Sequence, residues 1–452
     1  MKYIYLYQNE NEYNADSTRV LPAVSYCQSE ETVYYSPAYE MDDYIEFADP
    51  IVEQIITDAF GTNGKITYSQ AAAVTEWFEG GYDNNTTNPF YESEITSFNE
   101  FQYFTGITEI RDYAFFGCEN LTSMVLPRNI TYIGMCAFYP NISLTNINIP
   151  YSVEHIGSIA FGNKALKSSI YIPSSTTYIG EFAFRYCNNV RGMAVNENNP
   201  IYDSRNNCNA IIETATNTML FGCNNTTIPD SVEIIGKYFC DRAENITSIN
   251  IPDSVTTINE FAFARCGNTD LHLGKSVSYL GDFAFRRCDN LTHIDVDIEN
   301  TTFDSRNNCN AIIETASNEL VIGCKNTTIP NSIESIGFEA FFHCEDLCSI
   351  DFPNTLKHID IEAFYKCYGL TNVVLPSSLE SISVGAFGYC ENIISVTCNA
   401  TIPPTLITGN YSPRTIGFSD TTTIYVPAES VDAYKAADGW SEYANRIFPI
   451  TA

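Results

Sequence analysis

A chain of 452 residues in which 44% are hydrophobic and only 17% charged can bury a long core. Its 55 acidic and 23 basic side chains leave a net charge of −32, which argues against a nucleic-acid or anionic-membrane binding surface and otherwise speaks to solubility rather than to chemistry. No stretch approaches the roughly 18 apolar residues of a membrane-spanning helix, so no membrane insertion is expected.

The first hundred residues do not repeat. Lys2 to Tyr7 reads as a strand start, and Ala23–Tyr26 with Thr32–Tyr35 as two further strands around Gln28–Glu31, so residues 1–45 are expected to form a small β element for attachment. The opening apolar run is tyrosine-rich, about five residues long, and gives way to Gln8–Glu12; a secretory signal needs roughly 7–15 apolar residues, so none is expected. In residues 46–100, Pro50–Phe60 has helical spacing and Gly61–Gln70 leads into Ala71–Trp77. This stretch resembles an EF-hand-like or dockerin-like loop. With Gly64 as the loop glycine and Ile66 as the apolar residue after it, Ala59, Gly61 and Asn63 take the first three ligand places and Gln70 the twelfth, where a bidentate glutamate is wanted. The key carboxylate and two oxygen side chains are missing, so no metal is expected and the segment reads as a helical adaptor or cap.

From about residue 101 to 400 the chain is periodic. Phe115, Phe138, Phe161 and Phe184 follow at steps of 23, then Phe263 and Phe285, then Phe341, Phe364 and Phe387, again at steps of 23. One unit reads L-x-x-I-x-I-P, x-S-V-x-x-I, G-x-x-A-F, x-x-C-x-N. In its first part apolar and polar letters alternate as in a strand buried on one face, and the proline ends it. The remaining elements are too short for independent helices and should return as brief extended and helical pieces whose Ile and Phe fill the interior. Stacked, such units give a mainly β solenoid with a parallel strand ladder, the general build of leucine-rich repeats. Two intervals, from Phe184 to Phe239 and from Phe285 to Phe341, are longer. Each contains the segment Asp203–Ala215 or its letter-for-letter copy Asp304–Ala316, followed by a second short apolar run, which predicts a hairpin folded on the solenoid. The paired Asp203 with Arg205, and Asp304 with Arg306, read as a structural loop clamp rather than a charged site.

The pattern I-P-x-S-V-x-x-I-G-x-x-A-F-x-x-C-x-N-L-T-x-I, with the duplicated Asp203–Thr214 segment, resembles the BspA-like leucine-rich repeats of bacterial surface proteins. Ile424–Trp440 is similar to the segment that closes such arrays, so residues 401–452 are expected to be a C-terminal cap. The resemblance implies attachment to a protein or glycan on a cell surface, with no shared catalytic residues and no cofactor. A shorter likeness, over Pro22–Pro37, is to openings of proteins from gut Bacteroides and their bacteriophages. It implies a virion-displayed fibre or decoration protein held to capsid or tail proteins through its N-terminal region, with a bacterial cell-surface adhesin and a purely structural spacer as the alternatives; homo-oligomers fit either setting.

Cys118, Cys187, Cys266, Cys288, Cys344, Cys367 and Cys390 each fall three residues after the repeat phenylalanine, so they should stack as a column of small buried thiols. Cys208 with Cys223 and Cys309 with Cys324, each fifteen residues apart across the expected hairpins, are the best placed for disulfides. No Cys-x-x-Cys or Cys/His grouping has zinc spacing. His155, His272, His293, His343 and His358 occupy different repeats at variable letters, and no nucleophile set or phosphate loop accompanies them, so no enzyme is expected. Function is sought instead on the outward face of the ladder, where successive strands present equivalent positions: Val125, Asn148, Tyr171, Ala194, Asn250, His272, Asp295, Asp351 and Val374, with Ser123, Asn146, Ser248, His293, Ser349 and Asn372 beside them.

Overall fold

The computed structural model describes residues 43–79, 88–407 and 416–451. The three strands expected between residues 2 and 35 and the Pro22–Pro37 stretch lie outside them. The chain divides into two compact units, residues 1–227 and 228–452.

In the first unit, helix α1 (Pro50–Phe60) starts where Asp49 caps it: Asp49 Oδ1 accepts from the backbone N–H groups of Ile51 and Val52, and proline fills the first helical position. Asp49 Oδ2 accepts from both the N–H and the hydroxyl of Thr96, at 2.6 and 2.7 Å, so one carboxylate ties the helix to the chain that enters the repeats. Burial alone would raise this carboxyl, but the hydrogen bonds outweigh it and hold it below the usual carboxylate value. Helix α2 (Tyr68–Ala73) opens on a capping box, in which Gln70 Oε1 accepts from Thr67 N–H at 2.9 Å and Thr67 Oγ1 accepts from Gln70 N–H at 3.2 Å. Gln70, the twelfth residue of the calcium-like loop, is therefore used as a cap. Trp77 then packs against Phe90, Phe98 and Phe101, giving the first coil an aromatic floor.

The coils follow with two parallel sheets each rather than one. Glu109–Ile110, Tyr132–Ile133, His155–Ile156 and Tyr178–Ile179 form the second ladder, in which the Ile of each Ser-Val-x-x-Ile element points inward. The expected helical pieces are turns. The residue before each Ala-Phe pair, namely Tyr113, Cys136, Ile159 and Phe182, has φ between 52° and 62°. A left-handed residue cannot sit inside a right-handed helix, so each coil turns there instead. Inter-coil hydrogen bonds oppose the strain: Phe115, Phe138 and Phe161 donate to Ala137, Ala160 and Ala183 at 2.8, 2.9 and 2.8 Å. The rings of Phe115, Phe138, Phe161 and Phe184 stack at centroid distances of 5.6, 5.4 and 5.5 Å with planes within 9° of parallel. Burying each such ring contributes on the order of 2–3 kcal/mol, and in a column each ring supplies the next one's surface.

The long repeat of this unit folds as expected and gains a strand. Tyr202–Asp203, Ala210–Glu213 and Thr218–Gly222 pair antiparallel, with a register shift between Ile211 and Ile212. Arg205 donates to both oxygens of Asp203 and to Asn217 Oδ1. Asn206, Asn207, Asn209 and Asn217 all have left-handed backbones, which asparagine tolerates better than most side chains. The copy in the second unit repeats the clamp through Arg306, Asp304 and Asn318. Each clamp docks on the preceding ladder strand: Ser204 and Ser305 hydroxyls accept from Val195 and Val296 N–H, both at 3.0 Å.

In the second unit the ladder strands are Ser248–Ile251, Asp270–Leu273 and His293–Val296, then, beyond the long repeat, Asn372–Leu375, Ser395–Cys398, Thr423–Val426 and Ile447–Pro449. The last two belong to residues 401–452, so parallel pairing continues past residue 400. Helix α3 (Val431–Ala436) and the turns after it close this end. There the buried Tyr434 hydroxyl donates to Ala400 and Trp440 Nε1 donates to Pro404, at 2.8 and 2.7 Å.

Candidate functional site

The ladder is built by in-register parallel pairing, so each outward letter lies beside its counterparts about one strand spacing away. In the first unit Tyr171 pairs with Ala194 and Ser123 with Asn146. In the second, Asn250 faces His272 and His272 faces Asp295, while Ser248, Asp270 and His293 form the row beside them. Ile249, Leu271, Ile294 and Ile251, Leu273, Val296 alternate with them and point into the core. Farther on, Val374 aligns with Thr397, Tyr425 and Phe448. Val125, Asn148 and Asp351 hold the same repeat letter but lie outside the strands proper. Asn146, Ala194, Ser248, Asn250, Asp270, His293, Asp351, Val374 and Phe448 are exposed, and Ser123, Val125, Asn148, Tyr171, His272, Asp295, Thr397 and Tyr425 partly so.

Side chains separated by a repeat length meet on this face. His272 Nδ1 lies 2.5 Å from Asp295 Oδ2, and His293 Nε2 lies 3.6 Å from the other oxygen of the same carboxylate. His293 Nδ1 is 3.0 Å from Asn310 Oδ1, a residue of the duplicated segment. Asp270, directly across from His293, accepts from the Thr269 hydroxyl. The result is a two-by-two grid of His and Asp, each histidine opposite an acid. Tyr171 accepts from Asn196 Nδ2 at 2.8 Å and meets the edge of Tyr151. Such a surface offers donors, acceptors and rings to a partner. Among the described residues no group of three His, Cys, Asp or Glu side chains is arranged to hold a metal ion.

The second ladder carries a feature that the sequence reasoning missed. Tyr132, His155 and Tyr178 stack face to face on its outer side, with centroids 4.5 and 4.4 Å apart and planes within 15°. Burial between the rings pushes the His155 imidazole below its ordinary value, against the pull of Asp112. The signal is the repeat spacing itself, since all three positions are 23 apart.

The cysteines are frame. Cys187, Cys288, Cys367 and Cys390 each donate through Sγ to the carbonyl of the repeat phenylalanine one coil earlier, at 2.9–3.3 Å. Burial pushes the Cys187, Cys288 and Cys390 thiols up to about 12, which removes the thiolate a nucleophile or metal ligand would need. Cys208, Cys223, Cys309 and Cys324, the pairs best placed for bridges, are all free thiols. Their sulfurs turn to local carbonyls instead, Cys208 to Ala210 and Cys223 to Asn209, with Cys309 and Cys324 repeating the arrangement.

The family model for the BspA type leucine rich repeat region matches the chain in six copies, over residues 86–212, 211–319 and 312–410. Among solved structures the chain is similar to a leucine-rich repeat protein from Eubacterium ventriosum, at 20% identity over 70% of this chain and 84% of that one with a TM-score of 0.44. It is also similar to a leucine rich cell surface protein from Faecalibacterium prausnitzii, at 21% over 61% and 79% with a TM-score of 0.40. A leucine-rich repeat protein from Bacteroides ovatus matches at 18% over 77% and 82%, TM-score 0.39. No curated protein matches. The stacked coils and the match across residues 86–410 agree, and the chain belongs to the BspA type leucine-rich repeat proteins.

Proposed function

We propose that this chain is a non-enzymatic attachment protein whose outward ladder face binds a protein or glycan on a cell surface. The observation that carries the reading is the contrast between frame and face: the inward letters repeat as Ile, Leu, Val, Phe and Cys, while the outward letters change from coil to coil through Tyr171, Asn250, His272, Asp295 and Val374. A scaffold of this kind gains specificity by varying exposed side chains without disturbing the core. The proposed face comprises Val125, Asn148, Tyr171, Asn250, His272, His293, Asp295, Asp351 and Val374. Residues 46–100 serve as adaptor, residues 1–45 as the attachment element, and residues 401–452 as the closing cap.

The finer part of the proposal places the chain on a virion, with the Pro22–Pro37 likeness as its support; display on a bacterial surface is the alternative. Purification decides between them, since the virion reading requires that the chain travel with intact particles and that deleting residues 1–45 release it. Recovery with a bacterial envelope fraction, or continued incorporation of the deleted chain, contradicts it. The binding face is tested separately, by charge reversal at Asp295 and Asp351 combined with Tyr171→Ala.

A further inference from the structure

The long repeat of the second unit breaks a rule that its neighbouring coils keep. In a regular coil three backbone N–H groups, at alternate residues around the Ala-Phe pair, donate to alternate carbonyls of the next coil. Phe261, Phe263 and Arg265 donate to Asp282, Ala284 and Arg286 at 3.2, 2.8 and 2.7 Å, and Glu339, Phe341 and His343 donate to Ile361, Ala363 and Tyr365 at 3.0, 2.7 and 2.8 Å. In the coil just before the hairpin the same places are held by Phe283, Phe285 and Arg287. Among the described residues none of these three N–H groups has an acceptor within hydrogen-bond distance.

The acceptors on this edge are open as well. One coil earlier, the carbonyls of Thr256 and Ile258 accept from Ser278 and Gly281, at 2.9 and 2.7 Å. Their counterparts, the carbonyls of Ser278 and Leu280, accept nothing among the described residues, and the strand Tyr279–Leu280 ends its sheet. The hairpin does not fill the gap because it turns its pairing the other way. Gly323 N–H donates to the Ala340 carbonyl at 2.8 Å, and a Cβ on Gly323 would meet the Phe341 ring at 2.2 Å, so this strand is packed onto the following coil.

The phenylalanine column breaks at the same level. Phe285 stacks on Phe263 at 5.4 Å and Phe341 on Phe364 at 5.0 Å, but among the described residues no ring contact joins Phe285 to Phe341, and only the edge contact of Phe283 with Phe338, at 5.4 Å, links rings of the two coils. A cavity of about 210 Å³ lies there, lined by Phe283, Phe285, Arg287, Val321, Phe338 and Phe342 among others. Arg286 crosses the gap to Glu339, its NH2 donating to Oε1 at 2.9 Å, with its guanidinium over the Phe342 ring at 4.1 Å.

We propose that this cleft accepts an extended segment of a partner protein, which pairs parallel with the open edge and inserts an aromatic side chain into the cavity. A bare anion would satisfy donors alone, whereas this edge presents donors and acceptors in the alternation that a parallel strand meets, and the pocket beside it sets phenylalanine rings among charged side chains such as Arg286 and Glu339. The segment stands in for the coil that the hairpin displaces.

The probe is a synthetic peptide of residues Lys357–Lys366, which holds the equivalent place on the coil 334–343 within this chain. With the full chain, millimolar peptide should slow amide exchange at Phe283, Phe285 and Arg287 by at least about 10-fold. The peptide carrying Phe364→Ala should bind at least about 10-fold more weakly, and a chain carrying Val321→Trp, with an unchanged circular dichroism spectrum, should lose the protection. Absence of protection, equal protection by the alanine peptide, or the same protection by inorganic phosphate alone would overturn the proposal. Each of these outcomes leaves the ladder-face reading standing, because none of its residues lines the cleft.

Discussion

His272 and Asp295 are 23 residues apart in the chain and face one another across adjacent parallel strands, with Nδ1 2.5 Å from Oδ2. Both side chains keep more than a third of their surface exposed, at 35% and 44%. Exposed pairs contribute roughly 0–1 kcal/mol, so this contact adds little to folding. Asp295→Asn should shift the unfolding free energy by less than about 1 kcal/mol, read from urea denaturation followed by circular dichroism. A loss of several kcal/mol would make the grid part of the frame.

The phenylalanine column should behave in the opposite way. Phe161 is 2% exposed and sits between Phe138 and Phe184, stacked on both. Phe161→Ala should cost about 3–5 kcal/mol in the same denaturation experiment, since the ring's transfer energy and a cavity term are lost together. A cost below about 1 kcal/mol would mean that the coils collapse to fill the gap.

The clamp of the duplicated segment should matter locally. Arg306 bonds Asp304, Asn318 and Ser332, so Arg306→Ala removes several charge-assisted hydrogen bonds at once and leaves Asp304 without its partner. About 2 kcal/mol of stability should be lost, and hydrogen exchange should rise first in Ala311–Glu314 and Glu319–Gly323. Uniform acceleration across the unit would contradict a local role.

Thiol labelling checks the cysteine column. Of the described cysteines only Cys348 is exposed. At pH 8 a disulfide reagent should modify it at once and reach the buried thiols only after denaturant is added, because burial both hides them and keeps them protonated. Rapid modification of Cys187 or Cys390 in the native chain would contradict the packing.

Glu339 supplies a pH test. Burial pushes its carboxyl up to about 7, with Arg286 opposing. The folded chain therefore binds a proton that the unfolded chain releases near its ordinary value of 4.5. Stability from this group is fully present below about pH 4.5 and is lost as pH rises to about 7, by on the order of 1–3 kcal/mol. Asp289, raised to about 6, titrates within the same window, so the comparison is with Glu339→Gln, in which the slope between pH 5 and 7 should flatten. An unchanged slope would assign the effect to other groups.

Much of this architecture was legible in the sequence. The step of 23 between phenylalanines gave the coil, and alternation in L-x-x-I-x-I-P gave the ladder strand and its outward letters. The identical segments at Asp203 and Asp304 marked the hairpins, and Arg205 with Asp203 read correctly as a clamp. What stayed hidden depended on backbone conformation or on contacts between coils. Left-handed φ at Tyr113 or Phe283 is not written in residues that ordinarily avoid it, so the helical part of the expected return pieces is in fact a turn. The second ladder rests on strands of two or three residues, too short for a period to register. The spacing of fifteen between Cys208 and Cys223 left a bridge open, and what closes the question is that their sulfurs point to separate carbonyls. The outward column already set His272 beside Asp295, but the approach of His293 to the same carboxylate is a matter of side-chain conformation that no letter records.

The central claim is that the outward ladder face does the binding while the coil interior only holds it in place. Binding of the purified, labelled chain to cells, measured by flow cytometry, should compare the native chain with the variant Tyr171→Ala, Asp295→Lys, Asp351→Lys. The account predicts at least about 10-fold weaker binding with an unchanged melting temperature. Equal binding by the variant and the native chain would contradict it.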